Sequence, residues 1–142
     1  MSKRMQTLQQ QRAKHALEQI RKAEQKYQGE NRKAFVASAE NAPASILING
    51  FGQAAATLLA QAKGNQEEPP GAVYDAIQDW LCGKNNAAVY PHDKDLLTAI
   101  TEGDRDSYLH AQAEALAYLE WYKQFTVAFL KQPDKLSATE KG

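Results

Sequence analysis

The pair Gly50-x-Gly52, followed by Ala55, stands where an apolar run, Ile46-Leu47-Ile48, gives way to Phe51-Gly52-Gln53-Ala54. This is the outline of a dinucleotide-binding turn, in which glycines bring the backbone close to a pyrophosphate at a helix N-terminus. That turn needs a strand before the glycines and a second strand ending in an acid about 20 residues on. Here Gln53 to Ala62 reads as helix and runs into Glu67-Glu68-Pro69-Pro70, so the acids follow no strand. The alternative is one helix from about Pro43 to Lys63. Two interior glycines would cost it roughly 1 kcal/mol each relative to alanine, and close approach of another helix would offset that. Gly50 and Gly52 are expected to be packing glycines.

Other reactive side chains form no working set. His15, His92 and His110 are scattered. Pro91-His92-Asp93-Lys94-Asp95 offers one imidazole and two carboxylates, short of a metal site, and a helix cap explains Asp93 or Asp95 more simply. His15 and His110 have no ligand partner at helical spacing and read as partly exposed surface histidines. Glu102-Gly103-Asp104-Arg105-Asp106 could suggest a two-metal nuclease, but its carboxylates bracket a helix start, where the dipole favours them. The lone Cys82 permits no internal disulfide and no two-cysteine zinc site. No catalytic, cofactor-binding or metal-binding residue is expected.

Charge is the more informative chemistry. The 142 residues balance 17 basic against 17 acidic side chains, yet residues 1–33 hold nine Lys or Arg against three acids. That third carries +6 and the remainder −6. Met5, Leu8, Ala13, Ala16, Leu17, Ile20, Ala23 and Tyr27 recur at the spacing of one helical stripe. The opposite face carries Lys3, Arg4, Lys14, Arg21 and Lys22, with Glu18 among them. Such a face is either simply solvated or meets a polyanion, whose phosphates it would follow without reading sequence.

The elements behind these residues are helices throughout. The first runs from residue 2 to about 28, with Ser2 as cap and Gly29 as stop. A short one covers Asn31 to Glu40, and the glycine helix follows from Pro43. Residues 64–71 form a loop. A fourth helix carries Val73, Ile77, Trp80 and Leu81 and stops at Gly83. Asp93 caps a short fifth, and Asp104 caps a long last helix over roughly 105–131. On that last helix apolar and aromatic residues spread over about two-thirds of the circumference, wider than one packing stripe needs. It is therefore central to a bundle or has a face left for a partner. The expected fold is all-α, a single-domain bundle of five to six helices over residues 1–142, with about 132–142 a disordered tail. The N-terminus lacks the apolar segment of a signal peptide and 108–130 is too charged for a bilayer span, so a cytoplasmic protein is expected.

With those helices placed, Ile48-Asn49-Gly50-Phe51-Gly52-Gln53-Ala54 resembles the "NGLGQ"-type helix of the small α-helical subunit of type III-B CRISPR RNA-guided effectors, the Cmr complexes. Asp95 to Ile100, Tyr108, and Glu114-Ala115-Leu116 followed by Trp121-Tyr122-Lys123-Gln124-Phe125 resemble that family's C-terminal signature, and Arg12 to Leu17 is compatible with it. Tyr122 and Gln124 depart from the family's usual Leu and Arg, so no RNA role passes to position 124. The resemblance implies a non-catalytic antiviral-defence subunit without cofactors. It would stack with copies of itself as the minor filament, beside other effector subunits, and touch the guide and target RNA backbone. Candidate RNA contacts are Lys3, Arg4, Lys14, Arg21 and Lys22; candidate packing or partner residues are Gly50, Gly52, Trp121, Tyr122 and Phe125. The rivals are a free-standing adaptor whose basic helix binds only an acidic protein, and a helical enzyme or ligand carrier.

Overall fold

A computed structural model describes residues 6–131 and contains, among them, six helices and no strand. The helices are α1 (Leu8–Lys26), α2 (Gly29–Asn49), α3 (Phe51–Gln61), α4 (Pro69–Leu81), α5 (Leu96–Glu102) and α6 (Arg105–Phe129). No helix among the described residues is long and apolar enough to cross a membrane. Ser2, Lys3, Arg4 and the tail from 132 lie outside the described residues.

α1 starts later than its apolar stripe suggests. Thr7 is its N-cap, with a capping box in which Gln10 N donates to the Thr7 hydroxyl at 3.0 Å and Thr7 N to Gln10 Oε1 at 2.8 Å. Asp104 caps α6 as read, while α5 is capped by Asp95 instead of Asp93, through Thr98 N at 2.8 Å. Pro69 and Pro70, read as loop, open α4, where a missing N–H costs nothing.

The largest departure concerns the glycines. α2 does not end near Glu40; it runs on through Pro43 to Asn49. An interior proline costs about 3 kcal/mol, and the buried side chains of Phe35, Val36, Ala39, Ala42 and Ile46 supply the packing that holds the helix together across it. The break comes at Gly50, with φ 89° and ψ 157°, a region open in practice only to glycine. Its N–H closes α2 on Ile46 O at 2.8 Å and its carbonyl opens α3 by accepting from Ala54 N at 3.0 Å. The two glycines therefore do not share one helix.

α6 packs on α1, α2 and α4 at the centre of the bundle. Tyr118, Leu119 and Tyr122 are buried on it, and the Trp80 ring of α4 stacks on Tyr118 at 5.4 Å between centroids. Cys82 is a buried free thiol, pushed up to about 11 by burial and by nearby Asp95.

Candidate nucleic-acid interface

α1 presents the candidate cations, so what fixes its rotation matters first. Ala16, Ile20 and Ala23 bury one stripe. Beside it Arg12 makes a bidentate pair with Glu114 of α6, Nε to Oε2 at 2.6 Å and Nη2 to Oε1 at 2.9 Å. Trp80 Nε1 of α4 donates to the same carboxylate at 2.9 Å. Burial alone would raise the Glu114 carboxyl; the bonds from Arg12 and Trp80 and the guanidinium charge outweigh it and hold it below its usual range. Arg12 is correspondingly raised by its bond to Glu114.

One turn on, His15 is held at both ring nitrogens. Nε2 lies 2.6 Å from Asp79 Oδ2 and Nδ1 lies 2.7 Å from the Tyr118 hydroxyl. A carboxylate can only accept and a phenol can donate, so a ring with its proton on Nε2 satisfies both partners. This corrects the surface reading of His15, whose side chain is 14% exposed and packed against Trp80 and Tyr118. An Asp–His pair resembles a general base, but such a base must reach a proton of its substrate, and here the second ring nitrogen faces the hydroxyl of the fully buried Tyr118. His15, Asp79, Asn85 and His92 line one cleft, where His92 is exposed, and no group of three or more His, Cys, Asp or Glu among the described residues could hold a metal ion.

The candidate cations fall on two flanks. Lys14, Arg21 and Lys22 are all exposed. Lys14 and Arg21, seven residues apart, point the same way. Arg21 Nη1 bonds Glu24 at 3.1 Å while its guanidinium lies 4.0 Å over the Phe129 ring of α6. Lys22 turns toward α4: burial and the charges of Asp79 and Glu67 raise the Asp75 carboxyl, against the pull of Lys22 and Lys26. Lys26 itself pairs with Glu67.

Of the candidate packing residues, Tyr122 is buried against Phe35 and Tyr118. Trp121 and Phe125 are partly exposed, and Trp121 Nε1 donates to Gln9 Oε1 at 2.8 Å. Gly50 and Gly52 face Tyr108, which comes from α6. Gly52 N donates to the Tyr108 hydroxyl at 2.9 Å and Phe51 N to Gln112 Oε1 at 3.0 Å, so side chains of α6 satisfy two of the orphan donors at the start of α3. Sequence reasoning missed Arg12, His15, Trp80 and Glu114 as one network. The available signal was Glu114 itself, a charge spaced among Ala111, Ala115 and Tyr118 on the buried face.

The family model of CRISPR-associated protein (Cas_Cmr5) matches residues 8–129, which takes in all six helices and both motif regions. A search of curated proteins finds no match. An all-helical chain matched over most of its length by that family belongs to it, and the protein is a member of the Cmr5 family, the CRISPR-associated small subunit of type III-B.

Proposed function

We propose that this subunit is a non-catalytic, cytoplasmic scaffold of the effector that packs with copies of itself in the minor filament and contacts the guide and target RNA backbone through α1. The observation that carries the reading is the pairing of exposed cations with a rigid anchor. Lys14 sits between Arg12, paired with Glu114 of α6, and His15, bonded to Tyr118 of α6 and Asp79 of α4, and its own side chain is exposed. Lys3 and Arg4 belong to the same candidate set. Leu47 and Ile48, 74% and 79% exposed near the end of α2, favour a protein partner as well, as a subunit in contact with its neighbours requires.

The test changes Lys14, Arg21 and Lys22 together to Glu in the assembled effector and measures RNA binding across a salt series. Surface substitutions usually move stability by less than ~0.5 kcal/mol, so the fold should survive. Affinity should fall alike for unrelated RNA sequences, and the salt slope should drop by up to about 0.7 per lost single-strand phosphate contact. An unchanged slope in a folded variant would favour the second reading, an adaptor whose basic helix meets an acidic protein surface.

A further inference from the structure

Along the seam of α1 and α6, a row of aromatic rings lies beside one of the cations, Arg21. Trp121, Phe125 and Phe129 recur every fourth residue of α6, with centroids 5.9 and 6.3 Å apart. Trp121 and Phe125 are partly exposed and Phe129 is 38% exposed, more than its position in a packed seam requires. Across from them α1 supplies Gln9, bonded to the indole, and Arg21, whose flat guanidinium covers the Phe129 face at 4.0 Å. Among the described residues Arg21 is bonded through Nη1 alone, to Glu24, which leaves its other donors for a further acceptor. Lys14 lies two turns before Arg21 on the same line. Cations along a row of ring faces make the combination that holds single strands: the cations track phosphates while every base has a face to stack.

We propose that this seam is a stacking site for single-stranded RNA, with phosphates on Lys14 and Arg21 and bases on Trp121 and Phe129. The inference rests on the backbone-contact reading above and adds the strand state it selects. In the free chain the Arg21 guanidinium occupies the place of a base on Phe129; on binding, a base takes that face and Arg21 turns to the phosphate. A duplex, whose bases are already stacked, cannot make the exchange.

The experiment uses the full chain, alone and in the assembled effector, with a 20-nucleotide oligoadenylate as a single strand and the same strand in a duplex. Phe129→Leu keeps the apolar contact and removes the ring; single-strand affinity should fall about 5- to 140-fold, the value of one stacked base, at an unchanged salt slope. Duplex affinity should not move. Trp121→Phe should keep the affinity but abolish the quenching of tryptophan emission that the single strand causes in the wild type. Unchanged single-strand affinity in a folded Phe129→Leu chain, while the Lys14, Arg21 and Lys22 variant still loses slope, overturns stacking and leaves the backbone reading standing. No RNA binding by the wild type in either form overturns both.

Discussion

Replacing Glu114 with Gln tests whether the buried network holds α1 in place. The carboxylate accepts three bonds, two from Arg12 and one from Trp80, and its side chain is 5% exposed against 14% for Arg12. Arg12 Nε and Trp80 Nε1 share one carboxylate oxygen and Arg12 Nη2 uses the other, so a carboxamide can keep the first two bonds, without the charge, but turns its NH2 toward Arg12 Nη2 and loses the third. Hydrogen bonds to charged groups are worth about 1.5–3 kcal/mol each, and breaking a buried pair from one side costs about 3–5 kcal/mol. One bond lost, the charge taken from the other two and the Arg12 guanidinium left without its counter-charge put the loss at about 3–5 kcal/mol, or roughly 10–20 °C in melting temperature for a chain of this size. Urea titration followed by Trp emission reads it directly. Changing both partners, Arg12→Met with Glu114→Leu, removes the uncompensated charge and should recover most of the loss. A Glu114→Gln chain within 1 kcal/mol of wild type would refute the assignment of this network as the anchor of α1.

Three further outcomes follow from the same geometry. Gly50→Ala should cost about 1–3 kcal/mol because of its φ of 89°, whereas Gly52→Ala, whose new methyl would sit 3.6 Å from the Tyr108 hydroxyl in ordinary contact, should cost less than ~1 kcal/mol; equal losses in thermal melts would contradict the break at Gly50. Tyr108→Phe strips the acceptor from Gly52 N and should cost about 1–3 kcal/mol, with faster amide exchange at Gly52 and little change elsewhere. Because hydrogen bonds from Arg12 and Trp80 overcome burial to lower Glu114, and bonds at the two helix caps lower Asp95 and Asp104, these groups stabilise the fold above the ordinary carboxylate range. Stability should therefore fall as pH drops through and below that range, with a shallower fall in the Arg12→Met, Glu114→Leu variant.

The helices were legible where one local cause decides them. Asp104 has a helix behind it and nothing to compete with it as a cap, and the stripe of Ala16, Ile20 and Ala23 can only face inward. Pro43 misled because proline reads as a boundary on local grounds, and its cost is outweighed by distant contacts to α4 and α6 that no spacing within α2 reveals. The glycines misled for the opposite reason. Gly50 takes φ 89° and ψ 157° while Gly52 lies within α3, and composition cannot say which of two glycines separated by one residue leaves the helical conformation.

The polar anchor was hidden by sequence distance, since Arg12 meets Glu114 across 102 residues and His15 meets Tyr118 across 103. Its consequence for the surface is nevertheless simple. On a helix each residue is turned 100° from the last, so once Arg12 and His15 are fixed to α6 and α4, the direction of Lys14 is no longer free. A register shift of α1 by one residue would bury Lys14 or strand Glu114 without its guanidinium, at several kcal/mol either way. The apolar stripe alone, made of alanines with one isoleucine, would penalise such a shift far less, because small side chains leave little shape to match. The buried charge thus decides which face of α1 meets solvent, and with it where cations can stand beside the rings of α6.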